Sequence, residues 1–529
     1  MAVVSAHPAA TRAGMEILQA GGNAFDAAVA VSAALAVVEP YSSGLGGGGF
    51  WLLHRADDGF EVMIDGRETA PLAAHRDMYL DERGDPVKNA SIDGPLAAGI
   101  PGEPAALVYL SEHYGRLPLK TSLQPAIHLA ENGFRVDEHF RRMAAFRLNA
   151  LRASPAAATQ FLLKNEVPRV GHLIRQPALA QTLRALAREG KSGFYAGEIA
   201  RRLVADVRRH GGIWTLRDLQ QYRVKEREPM VGKYHGWRVV SAALPSSGGV
   251  LLLEMLNMLA MKDLQAMSEA DRVHFLVEVM RRAYADRARW LGDADFVDMP
   301  LKKLLSTAYA RKLVAGIDMK KATPGSSLPS VRAEGQDTTH FSILDSHGNR
   351  VAATLSINYP FGSGFVAEGT GVLLNDEMDD FSIKPGVANV YGLVGAQANA
   401  IAPGKRMLSS MSPTFVENHD HLAILGTPGG SRIITMVLLG LLEAVEGKSV
   451  TDWVSRPRFH HQYLPDVIQL EPGAFDEKLK AALKARGHRL DEKSRPWGNM
   501  QAIHWNRRNQ MVQAASDPRG GGLALVEKR

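Results

Sequence analysis

The chain has 529 residues, enough for a large buried core and a cleft, and its 45% apolar and 22% charged residues are the usage of a folded protein rather than a disordered one. Its formal charge of +6 comes from dispersed Lys and Arg without long basic runs, which argues against a nucleic-acid partner. The absence of cysteine excludes disulfides, thiolate catalysis and Cys-ligated zinc.

Taken in chain order, AVVSA, FWLLHR and EVMID carry strand patterns, and MEILQAGGNAFDAAVAVSAALAVV carries a helical one with a glycine pair inside it. The most apolar stretch, Ala27 to Val38, is shorter than the roughly 20 residues a bilayer span needs, so a buried helix and no membrane span are expected. Met1 leads straight into AVVSA without the basic and apolar regions of a leader, and with Met1 as the start the expected compartment is the cytoplasm. From Glu103 to Ala315 helical segments predominate, among them QPALAQTLRALARE and MSEADRVHFLVEVMRRAYADRARW. The polar, turn-forming SSLPSVRAEGQD then marks an exposed loop, and strands follow in THFSILD, RVAATLSIN, HLAILG, DVIQL and QAIHW. Helices and then strands around a shared core predict a layered α+β sandwich whose sheet draws on both ends of the chain.

The stretch EGQDTTHFSILDSHGNRVAATLSIN reads as a buried hairpin turning at Ser346 to Asn349. A three-residue loop at His347 to Asn349 pairs Thr338 with Asn358 and places Ser356 diagonally on the same face; a two-residue loop sends these side chains to opposite faces, so both registers stay open. A threonine at a strand start is ordinarily structural, because β-branched residues favour strands.

DTTHFS, LLNDEMDDF, PGVANVYGLVG, KRMLSSMSP, GTPGGSRI, RPRFHHQ and ASDPR, preceded in order by GGNAFDAAVA, GLGGGGF, DGRETAP, GIPGEPAAL, LPSSGGV and AYADR, together resemble the γ-glutamyltranspeptidase (glutathione hydrolase) family over nearly the whole chain. The resemblance implies the N-terminal nucleophile (Ntn) hydrolase fold, a four-layer αββα sandwich, here with a helical lobe from the first part of the chain. It implies self-cleavage between Asp337 and Thr338, giving a large chain of residues 1–337 and a small one of 338–529 that remain associated in one globular unit. Family members are commonly exported, so the resemblance implies a periplasmic or secreted enzyme. Cleavage would free the α-amine of Thr338, whose ordinary pKa of about 7.7 to 8.0 suits it as base for its own hydroxyl.

The same resemblance assigns Arg67, with the hydroxyls of Ser409 and Ser410, to a substrate α-carboxylate, and Asn358, Glu377 and Asp380 to its α-ammonium. Gly429 and Gly430 would supply N–H groups to the tetrahedral oxyanion. Ser356 stands where many members have a threonine that hydrogen-bonds the nucleophile. Tyr391 lies in a sequence resembling the lid loop of some members, which favours small γ-glutamyl substrates such as glutathione, with water, amino acids or peptides as acyl acceptors. No cofactor is implied. The run GLGGGGF lacks the Lys-Ser/Thr of a phosphate loop and is assigned to backbone packing. His460 and His461, adjacent on a strand, point opposite ways and make a poor metal pair; no HExxH occurs, and no metal is implied. His340 is expected to pack or hydrogen-bond within the hairpin. The rival readings are an acylase of the same superfamily cleaving glutaryl-type amides, and a catalytically inactive binding homologue.

Overall fold

The computed structural model describes residues 1–325 and 338–527; the SSLPSVRAEGQD loop and Asp337 lie outside the described residues. Two antiparallel sheets form the centre. The first runs Leu523–Val526, Ala2–Ser5, Thr339–Leu344, Arg350–Ser356, Gly48–His54, Glu61–Gly66 and Lys225–Arg227. The second runs Met511–Ser516, Gln501–Asn506, His421–Gly426, Thr414–Glu417, Trp237–Ser241 and Met230–Tyr234.

The alternation of side chains along a strand produces the layering. In the first sheet Val3, Trp51, Leu53, Ile343, Val351 and Ala353 join the core shared with helices Pro8–Gln19 and Ala24–Val38. Ala2, Val4, Phe50, Leu52, Met63 and Ala352 point the other way, into the core shared with the second sheet. Helices Gly248–Leu259 and Ile433–Val445 cover the far side of the second sheet, completing an αββα sandwich. Helix Ala24–Val38 is buried along its whole length, as its nearly uniform Ala/Val composition requires, and starts at a capping box formed by Asn23 and Asp26. The glycine pair ends the preceding helix, with Gly21 at φ 93°. Helices Glu103–His113, Leu119–Asn132 and Pro177–Glu189 stack outward from it as the helical lobe.

Helices predominate from Glu103 to Ala315 as expected, but this stretch also supplies sheet strands, Lys225–Arg227 to the edge of the first sheet and a hairpin to the second. Met230–Tyr234 and Trp237–Ser241 form a hairpin at the edge of the second sheet. Its first strand alternates half-buried and exposed residues, so it lacks the dense apolar pattern that marks the central strands. The pairing of both chain ends with the middle is as expected: Ala2–Ser5 lies between Leu523–Val526 and Thr339–Leu344. Among the described residues no helix is long and apolar enough to cross a membrane.

The run GLGGGGF packs as backbone. A Cβ on Gly46 would sit 1.9 Å from the Leu373 carbonyl oxygen, and the Gly47 carbonyl accepts the N–H groups of Gly102 and Glu103. Asn375 fastens the same loops: its amide donates to the carbonyls of Gly46 and Gly99 and accepts from the N–H groups of Gly99 and Glu377. Both of its donors and both lone pairs are thereby used in a fully buried position. Asn375→Ala strands several buried backbone groups at once, at about 1–3 kcal/mol each. A loss of roughly 3–5 kcal/mol of stability is expected in denaturant unfolding, together with reduced turnover, because Glu377 loses its anchor.

Candidate active site

The hairpin register differs from the one with Thr338 opposite Asn358. Leu344 pairs with Arg350 and Thr339 with Leu355, which brings Thr338 opposite Ser356. The turn is responsible: the Asp345 N–H donates to the Asn349 carbonyl, and the Asp345 carboxylate accepts the N–H groups of His347 and Asn349, so the loop tip is Ser346 to Gly348. The shift is by two residues on one strand, so the face is preserved. Thr338 Oγ1 and Ser356 Oγ lie 3.3 Å apart, both buried, on the face turned toward the second sheet. The Asn358 N–H donates to Ser356 Oγ (2.8 Å), which orients the Ser356 hydroxyl hydrogen away from that bond and toward other acceptors, Thr338 Oγ1 among them.

Next along this face is His340, held by Thr354 Oγ1 at 2.8 Å and Ser342 Oγ at 3.3 Å. Burial pushes its pKa down to about 3, so it is neutral at physiological pH and serves packing within the hairpin. A Cβ on Gly426 would fall 2.2 Å from the His340 ring, so the ends of the two sheets close together here. Beyond Gly426 the chain turns through Gly429 (φ 141°) and Gly430 (φ 56°) into helix Ile433–Val445. Among the described residues neither the Gly429 nor the Gly430 N–H donates to another group. Side chains are excluded at both: a Cβ would lie 2.4 Å from Met436 Cε at Gly429 and 2.5 Å from the Tyr391 ring at Gly430.

One pocket is lined by Thr338, Ser356, Asn358, Arg67, Glu377, Asp380, Tyr391, Ser409, Ser410 and Gly430. Residues from five stretches of sequence, at positions 67, 338–358, 377–391, 409–410 and 430, therefore meet within it, while Gly429 stands one position outside the lining. Arg67, almost wholly buried, donates to Asp380 Oδ2 at 2.5 Å and pairs with Glu377 at 2.8 Å and, more distantly, with Glu68 at 3.6 Å. Burial opposes its charge, but the carboxylates of Glu377, Asp380 and Glu68 outweigh that and hold its pKa above the ordinary arginine value. Burial pushes the Glu377 carboxyl up to about 8 despite Arg67, and burial together with Glu377 raises Glu68 well above the carboxylate range. Asn358, at φ 75°, donates to the Asp376 carbonyl, and the Tyr391 hydroxyl donates to the Asn358 carbonyl at 2.5 Å. Tyr391 thus seats its loop over the pocket, and only about 20 Å³ of open space remains beneath it.

At the other end, the Ser409 hydroxyl oxygen accepts the Met411 N–H, and the Ser410 hydroxyl oxygen accepts from Arg287. Both serines therefore have their hydroxyl hydrogens available as donors. Sequence reading missed Arg287, Asn375 and the LPSSGG serines as parts of this architecture, although the blocks AYADR, NDEMDDF and LPSSGGV that contain them stood out. Thr338 also lines a larger cavity of about 580 Å³, with Arg142, Phe146 and Arg495 farther along its wall.

His460 and His461 do diverge, toward Thr435 and Gln462 in one case and Asp466 in the other. A different trio, His274, Glu278 and His488, does come within metal-ligating distance. Its carboxylate is already engaged by Arg281, Arg282 and Thr323, and its imidazoles bond each other at 2.7 Å. Two guanidiniums beside the carboxylate disfavour a cation there. The trio instead anchors the stretch before position 326, with the Asp318 carbonyl accepting from His274 and the Thr323 N–H donating to Glu278.

A family model for γ-glutamyltranspeptidase matches residues 10–526. The chain belongs to the γ-glutamyltranspeptidase family. Among curated family relatives, a glutathione hydrolase proenzyme of Pseudomonas sp. (strain A14) is 44% identical over 496 residues, 92% of this chain and 86% of that protein. The solved γ-glutamyltranspeptidase of Helicobacter pylori is 40% identical, with TM-score 0.59 over 60% of this chain and 92% of the other. The cephalosporin acylase structure from Bacillus halodurans matches with TM-score 0.88 at 27% identity, covering 100% of this chain and 96% of that one. The αββα sandwich is accordingly the Ntn-hydrolase fold of transpeptidases and acylases alike.

Proposed function

We propose that the protein is a self-processing γ-glutamyltransferase with glutathione hydrolase activity, cut before Thr338 into chains 1–337 and 338–529. The observation that carries this reading is the single pocket that Thr338, beside Ser356, lines together with Arg67, Glu377, Asp380, Ser409 and Ser410. In the precursor the Thr338 hydroxyl attacks the Asp337 carbonyl, the acyl group moves from nitrogen to oxygen, and water hydrolyses the ester. The freed α-amine of Thr338 then takes the proton of its own hydroxyl as Oγ1 attacks the γ-carbonyl of the donor. The Gly429 and Gly430 N–H groups receive the oxyanion, the amine leaves with a proton, and water or an amino acid or peptide takes the γ-glutamyl group from Oγ1.

The charged wall distinguishes donors. A γ-glutamyl group carries both an α-ammonium and an α-carboxylate, for which the pocket has Asn358, Glu377 and Asp380 on one hand and Arg67, Ser409 and Ser410 on the other. A glutaryl group has only the carboxylate, so the acids would be left without a cationic partner from the substrate. The acylase reading has support in the close structural likeness to a cephalosporin acylase, and comparison of γ-glutamyl with glutaryl p-nitroanilide separates the two. The γ-glutamyl compound is expected to react far faster; the reverse order overturns the assignment. The cavity of about 580 Å³ on the other side of Thr338 is where the leaving amine departs and the acceptor arrives.

A pH dependence follows from Glu377. Its raised pKa means that the proton stabilises the folded protein below the ordinary carboxylate value, and that this contribution is lost as pH rises through about 8. An ammonium ligand favours the ionised carboxylate, so binding at lower pH must expel the proton. The KM for γ-glutamyl p-nitroanilide is expected to fall several-fold as pH rises from about 6 to about 8, up to the tenfold-per-unit limit of a single proton. In Glu377→Gln that slope disappears.

A further inference from the structure

The block AYADR closes helix Glu269–Trp290, and its Tyr284 and Arg287 reach two different parts of the pocket. The Tyr284 hydroxyl donates to the Ser431 carbonyl, beside the Gly429–Gly430 turn. Arg287, buried, donates through Nε to Ser247 Oγ at 2.9 Å and through Nη2 to Ser410 Oγ at 3.3 Å. Ser247 in turn donates its hydroxyl and its N–H to the Ser409 carbonyl. The direction of donation is unambiguous because a guanidinium has no acceptor: Ser410 Oγ can only accept from it, and its hydroxyl hydrogen must point elsewhere.

Arg67 shares its charge with Glu377 and Asp380. Arg287 has no carboxylate at ion-pairing distance among the described residues, and its hydrogen-bond partners are hydroxyls. The acid that acts on it, Asp380, stands beyond that distance and is already paired with Arg67, so burial of the Arg287 guanidinium is only weakly offset until an anion arrives. Ser410, which it touches, lines the Thr338 pocket.

We propose that Arg287 is a positioning residue for the substrate carboxylate: it fixes Ser410 as a hydroxyl donor, sets Ser409 through Ser247, and supplies from behind the two serines the positive charge that Arg67 shares with the acids. This rests on the γ-glutamyl reading of the pocket and adds a residue to it. Arg287 does not touch the reacting atoms, so its effect belongs on recognition of the carboxylate and not on the chemical step.

The test uses full-length protein that has processed into two chains, assayed on γ-glutamyl p-nitroanilide and on 4-aminobutyryl p-nitroanilide, which keeps the amine and the scissile amide but lacks the α-carboxylate. For Arg287→Met the KM for the γ-glutamyl compound is expected to rise by about tenfold or more with kcat changed by less than about threefold, while kcat/KM for the 4-aminobutyryl compound stays near its wild-type value. Arg287→Lys is expected to recover part of the loss, since it keeps the charge but not the fork. Equal losses on both substrates, or a fall confined to kcat, would overturn the proposal. Should Arg287→Met fail to process, the same comparison is made on Arg287→Lys, where a KM rise confined to the carboxylate-bearing substrate supports the role and equal change on both refutes it. A wild-type protein inactive on γ-glutamyl p-nitroanilide would instead remove the functional reading on which the proposal rests.

Discussion

Thr338→Ala is expected to yield a single uncut chain with γ-glutamyl transfer lowered by roughly 10⁴-fold or more, the scale on which enzymes lose rate when a nucleophile is removed. Two independent losses combine. Without the hydroxyl no atom attacks the preceding carbonyl, so the peptide bond persists; and because it persists, the nitrogen of residue 338 remains an amide with no basic lone pair. Ser356, 3.3 Å from Thr338 Oγ1, cannot substitute as nucleophile, because its own nitrogen lies within a paired strand and is never freed. Thr338→Ser keeps both hydroxyl and amine and is expected to process and turn over, more slowly, since serine lacks the methyl group that restricts χ1. A denaturing gel with activity on a γ-glutamyl anilide reads both outcomes, and two chains from Thr338→Ala would remove Thr338 from the account.

Arg67→Met is expected to produce the largest combined loss of stability and function. The guanidinium is the only cationic side chain among the described residues that line this pocket, and it pairs with Glu377 and Asp380, with Glu68 nearby. Removing one partner of a buried pair costs about 3–5 kcal/mol, because the remaining charge is left uncompensated. Raised pKa values at Glu377 and Glu68 allow these two to take up protons, which places the expected loss at the lower end, about 3 kcal/mol. Arg67 Nε also donates to the Met407 carbonyl, two residues before Ser409, so the serine segment loosens as well. Activity on γ-glutamyl p-nitroanilide is expected to fall by about 100-fold or more in kcat/KM, while Arg67→Lys, which cannot hold both acids in one fork, falls between. Thermal unfolding and steady-state kinetics on the processed proteins check the two effects, and wild-type values in both would contradict the placement of Arg67 as the charge that organises the pocket.

The hairpin shows where sequence reading reaches and where it stops. Both strands are buried on both faces, so the sequence left open even which face Thr338, Ser356 and Asn358 share; the register is set by how the Asp345 carboxylate gathers the N–H groups of His347 and Asn349, a detail that turn composition alone does not specify. A layered α+β sandwich was legible because strands such as Gly48–His54 are short, unbroken apolar runs and helices such as Ala24–Val38 are apolar throughout, while the αββα order came only with the family resemblance. The edge hairpin Met230–Ser241 was not, since an edge strand half open to solvent lacks that signature.

The pocket was legible only through collinear family blocks. Nothing in the spacing between Arg67 and Asp380, separated by 313 positions, announces that they meet at 2.5 Å. Arg287 and Asn375 were hidden for a different reason: a residue that acts by holding other residues has no chemistry of its own to advertise, and its role becomes visible only when its hydrogen bonds can be followed to Ser410 in one case and Glu377 in the other.

The most direct measurement is mass spectrometry of the purified protein before and after brief exposure to a γ-glutamyl donor under acid quench. The account expects two chains, the smaller beginning at Thr338, with the γ-glutamyl mass on that first residue. An active protein that remains one continuous chain, or an adduct on any other side chain, would contradict it.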